Sequence, residues 1–125
     1  MLDSPITGGV QRAWAGDITV VTSGPQAVYD QVAPFLQSFA RDIHYVGPKV
    51  GQAQLVKIAN NIMSFTNLVV ACEALVMVAK GGIDPEKALG VMNSGSGQNS
   101  ATLSTVPNFV LNRAFNMEGP MHIIE

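Results

Sequence analysis

The feature that most constrains this chain is a mostly apolar segment, residues 52–80, that contains neither proline nor glycine. It predicts one continuous helix over about 50–80, which at about 1.5 Å per residue is roughly 45 Å long. A helix of this length crosses a whole small domain. Residues 68–79 are apolar around nearly the full circumference, which is typical of a helix that other elements surround. The sequence therefore predicts a mainly helical domain built around this segment.

A membrane-spanning helix is the alternative interpretation of the same segment. A span requires about 20 mostly apolar residues. Every window of that length contains Glu73 or several of the polar residues Asn60, Asn61, Ser64, Thr66 and Asn67. Because a carboxylate at the centre of a bilayer is costly, we expect no membrane partner.

The first 49 residues show short strands that alternate with helices. β-branched residues are concentrated in 18–22, and segments 2–6 and 42–46 also have strand patterns. Between the last two strands, apolar residues recur at helical spacing over 27–39, and we expect Pro34 to divide that helix in two. This order predicts strand–helix–strand structure ahead of the long helix.

Shorter helices are expected elsewhere in the chain. One lies between the first two strands and carries Trp14, which we expect to pack against the edge of the sheet. Another follows the long helix, with Asp84 as its cap and Pro85 in its first turn, and extends to about residue 93.

The composition excludes several classes of function. The chain has 125 residues, of which 47% are hydrophobic and 13% charged, and its net charge of -2 provides no basic surface for nucleic acid. The single cysteine, Cys72, is expected in the core, and His44 and His122 have no partners at ligand spacing, so we predict neither a disulfide nor a metal site. The first residues do not have a signal-peptide pattern, which makes the cytoplasm the expected location.

Two short motifs carry the candidate chemistry. Lys57 and Asn61 are four residues apart, so in a helix they lie on one face, where an ammonium and a carboxamide can reach one bound oxygen. Thr7, Gly8 and Gly9 follow a short apolar stretch, and there a hydroxyl and unobstructed backbone N–H groups can approach an anion. Together the motifs predict a site for a small carboxylate.

The same motifs carry a family resemblance. The chain contains Asp3-Ser-Pro-Ile-Thr-Gly-Gly9, Ala15-Gly-Asp-Ile-Thr-Val-Val-Thr-Ser-Gly24, His44-Tyr-Val-Gly47, Lys57-Ile-Ala-Asn-Asn61 and Glu73-Ala-Leu75. In this order the motifs resemble those of the β-hydroxyacid dehydrogenases, the group of 3-hydroxyisobutyrate dehydrogenase and tartronate semialdehyde reductase.

The resemblance implies a mostly α fold. Residues 1–49 would be the C-terminal end of an incomplete dinucleotide-binding domain and would contribute a few strands. Residues 50–125 would form a long interdomain helix and a truncated all-α domain, similar to the C-terminal domain of 6-phosphogluconate dehydrogenase. This second part would bind substrate and form a homo-oligomer through the long helix.

The resemblance also implies hydride transfer between NAD or NADP and a small β-hydroxy acid or its semialdehyde. Lys57 would be the general acid/base, because a partly desolvated lysine has a lowered pKa and can take or return the hydroxyl proton. Thr7, Gly8 and Gly9 would bind the substrate carboxylate, and Asn61 would orient the amine or bond the reacting oxygen. The family usually has serine where Thr7 stands, so the added methyl group affects the substrate fit.

Two neighbouring residues are expected to have supporting roles. Asn60 lies about 100° around the helix from Asn61, so we expect it behind the residues that touch substrate. Glu73 lies in the most apolar part of the helix, so we expect a neighbour to pair or cap it.

The glycine-rich turn that holds the cofactor pyrophosphate in this family is missing from the sequence. The nearest string, 95–100, lacks the third glycine and follows a helical pattern, so we interpret it as a loop. Ser100 would cap a last helix that extends to about residue 114 and is interrupted by Pro107. The sequence ends at Glu125, where the family usually has a Lys-Asp pair. We therefore expect a fragment that is inactive alone, and its cofactor-binding residues stay unassigned.

Two other functions remain open at this point. The chain is alternatively a helical oligomerisation module without chemistry, and a strand, glycine-rich turn and helix encoded upstream would argue against that. Imine reduction on a similar scaffold is the second alternative. The presence of Lys57 disfavours it, because the hydroxyacid branch is the one that carries this lysine.

Overall fold

The computed structural model of this protein describes residues 1–117, and the predictions for His122 and for the last residues lie outside this range. The described chain forms two compact units that meet in sequence between Asn60 and Asn61. A few strands come first, and helices make up the rest. The mostly α fold that the sequence predicted is therefore confirmed.

The first unit alternates short strands and helices. In chain order the elements are β1 Ile6–Thr7, α1 Gly9–Trp14, β2 Ile18–Ser23, α2 Gln26–Leu36 and β3 Ala40–Gly47.

The strands form one sheet in the order β1-β2-β3. β1 is antiparallel to β2, and β2 is parallel to β3, so the chain needs the crossover that α2 supplies. Ahead of β1, Asp3 also forms an isolated antiparallel bridge with Ser23. The three predicted strands are therefore present, although the first is only two residues long.

Two expectations for this unit are wrong. α2 runs through Pro34 to Leu36 without a break. The proline lies in the last turn and removes only the one hydrogen bond that its own N–H would donate. Trp14 is 86% exposed, so it does not pack against the sheet. The helix that carries it, α1, has no buried residue.

The long helix α3 is continuous over Gln52–Lys80, as predicted. Ala53, Ala71 and Leu75 are buried, but most of its other apolar residues are exposed. Within residues 1–117 the later helices cover only the face with Ala71 and Leu75, so the other apolar faces of its second half have no cover from this part of the chain. By length and composition α3 is able to cross a membrane, a test that core helices of soluble proteins also pass.

Two residues of α3 lie in surroundings that differ from those expected. Glu73 is exposed and has no ion pair among residues 1–117, so the expectation of a neighbour that pairs or caps it is wrong. Cys72 is half-buried instead of fully inside the core.

The second unit packs three helical segments around a small core. They are the second part of α3, then α4, Pro85–Ser94, and a π-helix, Ala101–Val110. Their buried residues are Ala71, Leu75, Ala88, Leu89, Ala101 and Val106. As predicted, Asp84 caps α4 by accepting a 2.9 Å hydrogen bond from the Glu86 N–H.

The start of the π-helix differs from the prediction. The Ser100 side chain makes no capping hydrogen bond. Asn99 Oδ1 instead accepts from the N–H groups of Ala101 at 2.9 Å and Thr102 at 3.2 Å. An asparagine caps a helix as well as a serine, and here the cap lies one residue earlier than expected.

Pro107 lies within the π-helix and does not interrupt it. In a π-helix each N–H bonds the carbonyl five residues earlier, so proline leaves the Thr102 carbonyl without its usual donor. The Asn93 side chain fills this role, because its Nδ2 donates to the Thr102 carbonyl over 3.1 Å. The prediction of an interruption is wrong for this reason.

Candidate functional site

The turn after β1 is open at the glycine positions. Gly8 and Gly9 have φ angles of 134° and 74°, which side-chain-bearing residues rarely adopt. A Cβ at Gly9 would meet nothing within 4 Å, whereas one at Gly8 would lie 3.1 Å from the Arg12 Cβ. Thr7 does not cap α1, which begins without a side-chain hydrogen bond. Backbone and hydroxyl groups of this turn are therefore accessible from the Gly9 side.

The start of α3 is fixed to the sheet by two side chains. Asp3 Oδ2 accepts from the N–H groups of Gly51 at 3.1 Å and Gln54 at 3.0 Å. Ser23 Oγ accepts from the Ala53 N–H at 2.9 Å and donates to Asp3 Oδ2 at 3.2 Å. Asp3 is 8% exposed and Ser23 is fully buried. These contacts set where the first turns of α3 lie relative to β1 and β2.

Lys57 lies in the second turn of α3 and is half-buried. Burial lowers the pKa of its ammonium below the usual lysine value, because the charged form loses hydration. Among residues 1–117 no carboxylate pairs with it to oppose this effect. A lysine in such surroundings exchanges its proton more readily than a solvated one.

The asparagine that reaches the Thr7 turn is Asn60. Its Nδ2 donates to Thr7 Oγ1 over 3.3 Å, which joins residues 53 positions apart in the chain. Asn60 lies three residues after Lys57, so the two share one side of the helix. Asn61 lies one turn beyond Lys57 on α3 and is half-buried. The structure therefore brings Thr7 together with the helix that carries Lys57, and Asn60 forms the contact.

For Asp3 and Ser23 the sequence predicted no role of their own, and for Asn60 it predicted a supporting role but not the contact with Thr7. Asp3 lies 48 residues from Gly51, so no local capping pattern connects them. Ser23 looks like an ordinary turn residue after a strand. Only the fold shows that these side chains hold the segment with Lys57 in place.

Neither a metal site nor the open hollow beside Asp17 competes with this turn within residues 1–117. Their His, Cys, Asp and Glu side chains do not gather in groups of three or more that could hold a metal ion. An open hollow of about 720 Å³ lies beside Asp17, Phe39 and Arg41. Its charges are already paired, with Arg41 Nη1 2.8 Å from Asp17 Oδ1. None of the predicted site residues lines it.

Two protein families match this chain. Residues 51–124 match the family described as NAD-binding of NADP-dependent 3-hydroxyisobutyrate dehydrogenase. Residues 1–47 match the NAD binding domain of 6-phosphogluconate dehydrogenase.

Individual proteins agree with these matches. 2-(Hydroxymethyl)glutarate dehydrogenase of Eubacterium barkeri is 32% identical over 91% of this chain and 38% of its own length. The solved 3-hydroxyisobutyrate dehydrogenase of Salmonella typhimurium superposes with a TM-score of 0.77 at 27% identity, over 92% of this chain and 40% of its own. Psf3, solved with NADP+ and 2-OPP, gives a TM-score of 0.76 at 29% identity over 90% and 39%.

This chain thus spans about two fifths of the length of the proteins it matches. The family match extends over more than half of the chain. The motifs around Thr7 and Lys57 lie within the matched segments. The chain belongs to the β-hydroxyacid dehydrogenase family, which includes 3-hydroxyisobutyrate dehydrogenase.

Proposed function

We propose that this chain is part of an NAD(P)-dependent dehydrogenase that interconverts a small β-hydroxy acid and its semialdehyde. The observation that supports the proposal is the hydrogen bond from Asn60 to Thr7, because Asn60 lies one turn after the half-buried Lys57 on α3 and Thr7 begins the open glycine turn. A proton acceptor and a carboxylate-binding turn are the two protein groups that this reaction requires. The division into residues 1–49 and 50–125 as domains is part of the proposal.

Lys57 is the proposed general acid/base. When the hydroxy acid is oxidised, the neutral amine takes the hydroxyl proton as hydride leaves the carbon; in reduction, the ammonium returns it. Desolvation lowers the lysine pKa, so the amine is available nearer to neutral pH than in a solvated lysine. Asn61, one turn further along α3, is the proposed hydrogen-bond donor to the reacting oxygen.

Thr7, Gly8 and Gly9 are the proposed carboxylate site. The Thr7 hydroxyl and the backbone N–H groups of the turn are hydrogen-bond donors, and the open space at Gly9 admits an oxygen atom close to the backbone. Because the substrate carries its charge on the carboxylate, these donors would fix that end of the substrate, and Lys57 would meet its hydroxyl. Substrates of the relatives, such as 2-(hydroxymethyl)glutarate, belong to this class.

NAD(P) is the cofactor of the complete enzymes in this family, and when bound its nicotinamide accepts or gives the hydride. The turns that follow β2 and β3 do not form an open pyrophosphate cradle. After β2, a Cβ at Gly24 would lie 2.8 Å from the Met1 carbonyl oxygen. After β3, Gly47 lies against the Gln52 side chain. We infer that residues 1–117 contribute to substrate binding and not to the binding of the cofactor pyrophosphate, and that the 125-residue chain alone is inactive.

Assembly through α3 is also part of the proposal, and we infer that a second copy of this chain is the partner. Over residues 62–77 of α3, three adjacent pairs of apolar residues recur every seven positions. All of their members are more than half exposed: Ile62, Met63, Val69, Val70, Val76 and Met77. A seven-residue apolar repeat is the pattern by which helices pair along their length.

The expected location is the cytoplasm.

The test of this function uses the complete dehydrogenase that contains these residues. Purified enzyme is assayed with 3-hydroxyisobutyrate, L-threonate and 2-(hydroxymethyl)glutarate, each with NAD+ and NADP+. Lys57→Ala should lower kcat by about 100-fold or more and leave the KM of the cofactor nearly unchanged. Wild-type turnover by Lys57→Ala on every acid that the parent oxidises would show that the assignment is wrong.

A further inference from the structure

The hydrogen bond between Asn60 and Thr7 has a direction that matters for binding. An asparagine NH2 group only donates, so at 3.3 Å it occupies an acceptor position of Thr7 Oγ1. A threonine hydroxyl has one proton of its own, which then points away from Asn60. Within residues 1–117 the one hydrogen bond of the Thr7 hydroxyl is this one, in which it accepts. The Thr7 proton is therefore left for a group outside the described protein.

The bond also limits the rotation of the Thr7 side chain. A β-branched residue has few allowed χ1 angles, and a partner on Oγ1 selects one of them. This choice fixes the hydroxyl and the methyl group together. Backbone pairing of Thr7 with Thr19 holds the residue at the end of β1. Asn60 therefore controls a hydroxyl whose backbone is already in place.

We propose that Asn60 is a positioning residue that keeps the Thr7 hydroxyl as a donor to the substrate carboxylate. It does so from behind Thr7 and does not touch the substrate itself. The inference rests on the proposed function, because it takes the Thr7 turn to be the carboxylate site. The inference adds Asn60 to the proposed function, which on this part of α3 had included only Lys57 and Asn61.

The first experiment tests the contact in the 125-residue chain, without cofactor or substrate. The side-chain amide signals of Asn60 and Asn67 are followed by 15N NMR in the wild type and in Thr7→Val, which keeps the shape but lacks the hydroxyl. We expect the Asn60 NH2 signals to move and those of Asn67, also on α3, to stay. Unchanged Asn60 signals would overturn the inference.

The second experiment measures binding in the complete dehydrogenase, with the hydroxy acid that the parent oxidises. Asn60→Ala should raise the KM of the acid about tenfold, the loss expected for one hydrogen bond, with kcat within about twofold. Asn60→Asp should raise it further, because a carboxylate accepts the Thr7 proton and repels the substrate. Ser64→Ala, at an exposed position of α3, is the control and should change neither constant.

A double-mutant cycle separates positioning from a general structural effect. In the Thr7→Val background, Asn60→Ala should change the KM less than about twofold, because the hydroxyl that it positions is already gone. An equal effect of Asn60→Ala in both backgrounds would overturn the inference. A fully active Lys57→Ala enzyme would overturn the proposed function, and this inference with it. An inactive Lys57→Ala enzyme with an unchanged KM in Asn60→Ala would overturn the inference alone.

Discussion

The Ser23 hydroxyl donates to Asp3 Oδ2 over 3.2 Å, and each of these side chains also accepts hydrogen bonds from the first turn of α3. One buried pair thus joins the start of the chain, the end of β2 and the helix that carries Lys57. Helices need acceptors for their first N–H groups. Here residues that lie far away in the sequence supply them.

Asp3→Ala should destabilise the first unit. The change leaves two partly buried backbone N–H groups and the buried Ser23 hydroxyl without their acceptor. A buried donor without a partner costs about 1–3 kcal/mol, and water recovers part of that cost at the two N–H groups. We expect a loss of about 2–4 kcal/mol in the free energy of unfolding. Native-state hydrogen exchange at the Gly51, Ala53 and Gln54 amides measures it.

Asp42→Ala is the matched control for Asp3→Ala. Asp42 pairs with Arg41 at 2.9 Å on the surface, and exposed ion pairs contribute about 0–1 kcal/mol. It should leave exchange at these three amides within a few-fold of wild type. Equal protection in Asp3→Ala and Asp42→Ala would mean that the Asp3 contacts do not hold α3.

The pH dependence of the complete enzyme should follow Lys57. Oxidation needs the neutral amine, so kcat/KM should rise with pH and level off above a pKa that desolvation places below the usual lysine value. Reduction needs the ammonium, so kcat/KM in that direction should fall across the same range. Initial rates in both directions measure this, and Lys57→Ala should remove both dependences. Profiles that keep the same pKa in Lys57→Ala would assign the titration to another group.

The isolated 125-residue chain should show no measurable binding of NAD or NADP. The turns after β2 and β3 are closed by Met1 and by the Gln52 side chain, so neither offers the open glycine turn that holds a pyrophosphate in a dinucleotide-binding domain. Titration calorimetry with each cofactor checks this. A micromolar Kd for either one would show that a cofactor site has been overlooked.

The 125-residue chain should be a homodimer or a homotetramer. The repeated apolar pairs on α3 are exposed, and covering each such side chain is worth about 1.5–3 kcal/mol. Light scattering at tens of micromolar measures the mass. Val70→Glu, within the repeat, should lower it, whereas Ser64→Glu, also exposed on α3 but outside the repeat, should not. A stable wild-type monomer would contradict the proposed interface.

Much of the fold could be read from the sequence because its signals are local. The absence of proline and glycine predicted α3, and the Asp84-Pro85 pair predicted the start of α4, since both depend only on neighbouring residues. Exposure was harder to predict. Trp14 and Glu73 are exposed, and whether another element packs over such a residue depends on the rest of the fold.

The candidate site could be predicted only in part for the same reason. Lys57 and the Thr7 turn were identified by type and spacing, but the contact through Asn60 depends on how β1 meets α3. The Asp3 contacts likewise join residues about 50 positions apart. Helical periodicity gives the angle between Asn60 and Asn61 around the helix axis. It does not show which of the two side chains reaches a neighbouring strand.

The Asn93 side chain takes the place of the N–H that Pro107 lacks, and this constrains the order in which the two positions can change during evolution. Replacing Pro107 first is tolerated, because a new backbone N–H offers the Thr102 carbonyl a second donor. Replacing Asn93 first removes the side-chain donor that the Thr102 carbonyl has in place of that N–H. A proline at position 107 is therefore compatible with the helix as long as an asparagine lies fourteen residues earlier in the chain.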